Sequence, residues 1–214
     1  MTPFYRTLYI LAGWFVRIIF NIKVIGRENE PAKNERPFIV CSNHISATDP
    51  VAIAASLRYH QPHYLAKSQL FKTKIGSWLF RNLGCVPVSR SGNDVGALKT
   101  TINLLKNGKV IGIFPQGTRR SGEDMRNSKI KGGTGMICAY SGAPVLPIYI
   151  HTKDNKAKLF RRRTLVVGKL ITPEEIAYVP HTAGEYDRIS QLVFGRICEL
   201  SDEYAELVKS KKKK

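Results

Sequence analysis

Pro37-Phe38-Ile39-Val40-Cys41-Ser42-Asn43-His44-Ile45-Ser46-Ala47-Thr48-Asp49-Pro50 is the stretch on which the fold turns. Its first five residues form a short apolar run, which predicts a buried strand. The run ends at Asn43-His44, and Asp49-Pro50 opens a segment of helical character over 50–57. Asp49 then has two readings. As a helix N-cap it would bond backbone amides, with Pro50 at the first helical position, and Asn would serve equally well there. As the partner of His44 it would accept an imidazole N–H across the turn between strand and helix. On one continuous helix the two side chains would sit roughly 140° apart and could not meet. A carboxylate has lone pairs enough for both duties. A His oriented in this way is a candidate general base.

Outward from this stretch, apolar runs at 38–42, 64–66, 85–89, 110–115 and 145–150 alternate with longer segments at 50–57, 68–82, 94–107 and 133–141. The alternation predicts an α/β fold, with a mostly parallel central sheet flanked by helices. Lys23–Ile25 and Leu165–Ile171 are further candidate strands. Apolar residues at three- and four-residue steps over 184–209 predict a long terminal helix.

Residues 3–22 are rich in large apolar and aromatic side chains, interrupted by Arg6 and Arg17. No stretch reaches the roughly 18 uncharged apolar residues of a spanning helix. Arg17 and the lack of an A-x-A-like site argue against a cleaved signal. The pattern suits a helix lying in a membrane interface, with Trp and Tyr at headgroup level and arginines on phosphates. The competing reading packs it on the protein core. The chain thus divides into an interfacial helical segment (1–25), an α/β domain (26–209) and a basic tail (210–214).

Thirty-four Lys and Arg face 16 Asp and Glu, a formal net charge of +18. The partner is therefore anionic: a membrane, a phosphorylated substrate, an acidic protein or a nucleic acid. Arg161-Arg162-Arg163 and the lysines at 211–214 read as solvated charge. The four cysteines (41, 85, 138, 198) are widely spaced without a CxxC. Three of them sit in apolar runs, which predicts buried free thiols in a reducing compartment, not a zinc site.

Ligands of an open parallel sheet bind beyond the carboxyl ends of its strands. Asn43, His44 and Asp49 follow the first such run. Lys67, Arg90 and Gln116-Gly117-Thr118-Arg119 follow three others. On parallel strands all of these reach one edge. The cations suit a phosphate, which arginines can grip as a fork. The His–Asp pair suits removal of a proton from a hydroxyl. Gly117 admits close backbone approach, and nearby N–H groups can hold an oxyanion. There is no G-x-S-x-G nucleophile elbow and no G-x-x-x-x-G-K-[ST] nucleotide loop. The chemistry predicted is direct attack by a phosphate-bearing alcohol on an acyl donor, without an acyl-enzyme.

Asn43-His44-x-x-x-x-Asp49 resembles the N-H-x4-D motif of glycerolipid acyltransferases, in particular the 1-acylglycerol-3-phosphate O-acyltransferases. Three more blocks follow in the family's order. Gly84-Cys85-Val86-Pro87-Val88-Ser89-Arg90 is similar to the second motif and Phe114-Pro115-Gln116-Gly117-Thr118-Arg119 to the third, usually F-P-E-G-T-R. Ala143-Pro144-Val145-Leu146-Pro147 is similar to the fourth, and Leu65-Ala66-Lys67-Ser68-Gln69-Leu70 resembles the A-K-x-E-L segment. The resemblance implies transfer of a fatty acyl group from acyl-carrier protein or coenzyme A to the sn-2 hydroxyl of 1-acyl-glycerol-3-phosphate. The product is phosphatidic acid. His44 and Asp49 are catalytic in this reading, and Arg90, Arg119 and Lys67 hold the phosphate. Asn43, Gln116, Gly117 and Thr118 support substrate or oxyanion. Pro144, Val145 and Pro147 belong to the acyl-donor region. No bound cofactor or metal is implied, and the enzyme would sit on the cytoplasmic face of the cell membrane, peripheral or monotopic.

Two departures stand out. Gln116 replaces the usual Glu, and Arg120 precedes Ser121 where Ser often follows the motif's Arg. Gln116 leaves open another lysolipid acceptor. A non-enzymatic nucleic-acid-binding protein fits the charge, but recognised motifs are lacking and the aromatics gather at the N-terminus rather than among the basic clusters. No nucleic-acid partner is expected.

Overall fold

The structure is a computed structural model and describes residues 1–35, 37–88 and 95–212. In chain order the elements are α1 (Pro3–Ile19), β1 (Ile22–Ile25), β2 (Ile39–Ser42), α2 (Asp49–Ser56), β3 (Pro62–Lys67), α3 (Lys74–Asn82) and β4 (Cys85–Val88). There follow α4 (Val95–Lys106), β5 (Val110–Ile113), α5 (Gly133–Ser141), β6 (Val145–Thr152), β7 (Arg163–Val167), α6 (Pro173–Ile176) and α7 (Glu185–Lys212). The seven strands form one sheet in the order β1-β7-β6-β2-β5-β3-β4. Every pairing is parallel except that of β6 with β7. Ten residues join those two strands, fewer than the dozen or so that a parallel crossover needs.

Alternate residues of the central strands enter two cores. Ile39 and Cys41 join Leu105 of α4, Ile137 of α5 and Ile189 and Val193 of α7 on one face. Phe38, Val40, Leu146 and Ile148 join Ile53 of α2 on the other. Covering both faces is what lets parallel strands read as continuous apolar runs. The α/β architecture expected from the alternation is therefore the one observed.

Some boundaries differ from expectation. Residues 68–82 are not one helix: a 3₁₀ turn at Ser68–Phe71 precedes α3, and Thr73 Oγ1 caps the new start by accepting the Gly76 N–H at 3.0 Å. The last strand ends at Val167, and Ile171 makes only an isolated bridge to Val145. β1 pairs with β7 at the sheet edge, so residues 22–25 belong to the sheet and not to an N-terminal appendage. α7 continues to Lys212, which makes the first part of the basic tail helical. All four cysteines are free; Cys41 and Cys138 are buried as expected, whereas Cys85 and Cys198 are only half-buried.

α1 packs on the protein along its inner side, as the competing reading of the N-terminal segment has it. Thr2 caps it and Pro3 occupies its first turn. Its inner side packs on α2: Tyr5 Oη donates to Ala54 O at 3.3 Å and Arg17 Nε donates to Ala55 O at 2.7 Å. These bonds satisfy carbonyls at the end of α2 that have no helical partner. Arg17, expected on lipid phosphate, is thus committed to the protein. The outer side of α1 exposes Ile10, Leu11, Trp14, Phe15 and Ile18.

Candidate active site

β2 carries the chain to the edge of the sheet and Asn43 fixes it there. Its side chain bonds both ways to Ile150, donating to the carbonyl at 3.0 Å and accepting the N–H at 2.7 Å. The next residue, His44, places Nδ1 3.0 Å from Asp49 Oδ2. The same oxygen accepts the N–H groups of Ile45 and Ser46, each at 2.7 Å. Asp49 is the first residue of α2, with Thr48 at the cap position. Its carboxylate turns back to the amides of the 43–48 turn instead of capping those ahead. The N-cap reading of Asp49 is therefore corrected, while its pairing with His44 holds in this geometry.

Asp49 is fully buried, and its second oxygen lies 3.4 Å from Arg163 Nη1. Arg163 is itself 2 % exposed, donates to Thr48 Oγ1 at 3.0 Å and stands 5.0 Å over the Phe20 ring. Burial lowers the Arg163 pKa, and the neighbouring carboxylate opposes that shift. The reading of Arg161-Arg162-Arg163 as one solvated run fails at its third member. Arg161 and Arg162 are exposed, but Arg163 opens β7 and faces inward.

β5 and the loop after it hold His44 from the other side. The Phe114 ring stacks on the imidazole at 4.0 Å, and Tyr64 continues the stack at 5.9 Å. The Tyr64 ring lies directly over Gly112, where an added Cβ would fall 2.0 Å from Cε1. Burial pushes the Tyr64 hydroxyl well above its ordinary pKa. Gln116 Oε1 accepts the His44 backbone N–H at 2.6 Å, and its Nε2 donates to Ser128 Oγ at 2.6 Å. The Arg120 N–H donates to the His44 carbonyl at 2.8 Å. Both main-chain groups of His44 and its Nδ1 are thus engaged. Nε2, on the opposite side of the ring, is the nitrogen left to meet a substrate.

His44 lines a polar cavity of about 150 Å³ together with Arg120, Glu123, Arg126, Tyr149 and Asn155. A second cavity, about 380 Å³ and almost wholly apolar, lies between α1, α2 and β3. Tyr9, Val16, Val51, Tyr64 and Leu83 line it, and Ala47 and Pro50 bring it against the turn that carries the dyad.

The other residues singled out in the sequence fall as follows. Lys67 is exposed at the carboxyl end of β3, and Thr118 and Arg119 are exposed in the loop after β5. Arg90 lies outside the described residues. Gly117 has φ +65°, a conformation that favours glycine, with open space where a Cβ would be. Its own N–H closes a turn onto Phe114 O at 2.9 Å. Pro144 is half-buried at the head of β6, and Val145 and Pro147 are buried in register with Ile39 and Cys41 of β2. Gln116 is buried and occupied at both ends of its amide. Arg163, Ser128 and Arg120 belong to none of the four sequence blocks. Arg120 alone had a visible signal, as the second cation after the third block.

Residues 21–151 match the sequence family described as Acyltransferase. A 1-acyl-sn-glycerol-3-phosphate acyltransferase of Bacillus subtilis is 33% identical over 162 residues, covering 74% of this chain and 78% of that protein. An enzyme of the same description from Streptococcus pneumoniae is 28% identical over 67% of this chain, which spans about half of it (51%). The crystal structure of the 1-acyl-sn-glycerophosphate acyltransferase PlsC from Thermotoga maritima superposes with a TM-score of 0.65 at 26% identity, covering 92% of this chain and 78% of that one.

Proposed function

The chain belongs to the acyltransferase family, and on that premise we propose that it moves a fatty acyl group from a thioester to the sn-2 hydroxyl of 1-acyl-glycerol-3-phosphate, giving phosphatidic acid. The observation that carries this reading is the His44–Asp49 contact of 3.0 Å at the rim of a polar cavity. Asp49 accepts the Nδ1–H, which fixes the tautomer and leaves a lone pair on Nε2. Nε2 takes the proton of the acceptor hydroxyl as its oxygen attacks the thioester carbonyl. The acyl–oxygen bond forms, the acyl–sulfur bond breaks, and the imidazolium returns its proton to the departing thiolate. Asp49 stabilises the imidazolium in between. Co-substrate and donor are one molecule, an acyl-carrier-protein or coenzyme A thioester, and no step runs through a bound cofactor.

The acceptor's phosphate is assigned to the cations of this sheet edge. Lys67 ends β3, Arg119 follows β5, and Arg90 follows β4 in the sequence. Arg120 joins them because it lines the cavity with His44. Asn43 and Gln116 serve the substrate indirectly, by fixing the His44 backbone, and Thr118 lies open to it. The donor role of Pro144, Val145 and Pro147 draws its support from the family motif alone. The apolar cavity beside Ala47 and Pro50 suits an acyl chain, being concave, apolar and next to the dyad. The neutral Gln116 gives no reason to change the acceptor, since its amide is spent on His44 and Ser128.

α1 holds the enzyme at the cytoplasmic face of the cell membrane in this reading. Its outer side presents Leu11, Trp14, Phe15 and Ile18 to the surroundings. Among the described residues no helix is long and apolar enough to cross a membrane. Burial of such a face in the headgroup boundary is the mode of an interfacial helix.

The test is an acyl-transfer assay with purified protein, 1-acyl-glycerol-3-phosphate and both thioester types, scored as phosphatidic acid formed. His44→Ala should abolish turnover while keeping the wild-type melting temperature. A folded His44→Ala protein that works at the wild-type rate overturns the reading.

A further inference from the structure

We propose that α3 is a second membrane contact, continuous with the outer side of α1, and that its partner is the surface of an anionic bilayer. The inference rests on the reading of α1 as an interfacial helix and extends it to a part of the chain 50 or more residues away, Ile75 and Trp78.

Ile75 is 80 % exposed and Trp78 56 %. Three residues apart on a helix, they share one face. The opposite face is occupied: Phe80 packs on Phe71 at 5.8 Å, and Phe80 and Leu83 line the apolar cavity. The Trp78 ring meets Phe4 of α1 edge-on at 4.9 Å, so the exposed sides of the two helices adjoin. An apolar surface that runs across two elements in this way marks a contact site. An indole at its border is suited to a headgroup layer, where one end is apolar and the other wet.

The charge around this surface selects the partner. Residues 1–27 and 50–93 supply α1, β1, β3 and α3, and neither stretch contains an Asp or Glu. Together they carry ten Lys and Arg, four in the first and six in the second. Lys72, Lys74 and Arg81 are exposed immediately around Ile75 and Trp78. All 16 acidic residues of the chain lie elsewhere. An apolar patch ringed by one sign of charge is complementary to anionic lipid, in which side chains enter the acyl boundary and ammonium groups meet phosphates. Tyr9 and Val16 of α1 and Phe80 of α3 all line the apolar cavity, so lipid contact along both helices would bring acyl chains close to it.

The sequence contains two tryptophans, Trp14 and Trp78. A Trp14→Phe protein therefore reports from Trp78 alone. On phosphatidylglycerol vesicles containing brominated acyl chains its fluorescence should be quenched, and on phosphatidylcholine vesicles much less. Ile75→Asp should lower partition onto phosphatidylglycerol vesicles by at least about tenfold, the scale set by losing one large apolar side chain from a buried face. Turnover of a monomeric short-chain acceptor should stay at the wild-type level, because Ile75 lines neither cavity. Leu11→Asp on α1 is measured in parallel. If Leu11→Asp abolishes vesicle binding while Trp78 stays unquenched and Ile75→Asp binds normally, the α3 contact is wrong and the α1 reading stands. If Leu11→Asp binds as well as wild type, the α1 reading itself fails. A concentration-dependent dimer in sedimentation that Ile75→Asp dissolves, with vesicle binding unchanged, would assign the face to a second copy and overturn the proposal.

Discussion

Arg163 Nη1 lies 3.4 Å from Asp49 Oδ1, and both side chains are buried. The guanidinium is held from above by the Phe20 ring at the end of α1 and from the side by Thr48 Oγ1. Removing one member of a buried pair strands the other charge. Arg163→Met should therefore cost about 3 kcal/mol in chemical denaturation. Arg163→Lys should recover part of that stability but not the Thr48 contact, because an ammonium lacks the planar fork. A Met variant as stable as wild type would show the pair to be incidental.

Asp49→Asn separates the observed geometry from the cap reading. A cap position would tolerate Asn, whereas this carboxylate takes three donors on one oxygen and Arg163 on the other. An amide presents an NH₂ to one of those sets whichever way it turns. We expect a loss of about 2 kcal/mol in stability and of at least about 10²-fold in kcat. The double variant with His44→Ala should be hardly slower than His44→Ala alone, since the pair acts as a unit. Wild-type stability with wild-type turnover would return Asp49 to the role of a cap.

Gln116→Glu tests whether this residue touches the acceptor. A carboxylate keeps the bond to the His44 N–H, and Ser128 can rotate its hydroxyl to donate. Acceptor preference should not change, and kcat/KM should stay within about tenfold of wild type. Gln116→Leu strands the His44 amide at a cost of about 1–3 kcal/mol. A changed ranking of lysolipid acceptors in the Glu variant would put Gln116 in the acceptor site.

Gly112→Ala should drive the Tyr64 ring off its seat, since the new methyl would fall 2.0 Å from Cε1. Overpacking of this kind costs about 1–3 kcal/mol, and turnover should fall with it because Tyr64 backs the Phe114–His44 stack. Tyr64→Phe should be neutral or stabilising. The buried Tyr64 hydroxyl finds no hydrogen-bond partner among the described residues. Thermal unfolding of both variants checks the pair of expectations.

Glu185 supplies a pH signature away from the site. Its side-chain bonds to Arg188 and the Val179 N–H bring its pKa from 4.5 down to about 2. A depressed carboxylate stabilises the fold above the unfolded pKa and loses that effect as pH falls through the folded one. The contribution should be whole above about pH 4.5 and fade towards pH 2. Glu185→Gln should flatten the acid limb of the stability curve in that window and leave activity at neutral pH unchanged.

The sequence by itself determined most of the scaffold and the dyad, because both are written locally. Apolar runs bounded by polar turns mark strands, and the four residues between His44 and Asp49 span one strand-to-helix turn whatever surrounds it. Two further signals are equally local. Thr73 three residues before Gly76 marks the restart of a helix, and Thr172-Pro173-Glu174-Glu175 is the capping box that opens α6. Only the tertiary structure decided which cation stands behind the dyad. Arg161, Arg162 and Arg163 are indistinguishable as letters, and what separates them is the register of β7 against β6, which turns the third inward over a buried carboxylate. The same holds for Gln116, whose partners lie 72 residues before it and 12 after it. Burial and ion pairing are properties of elements distant in the chain, so no local pattern encodes them.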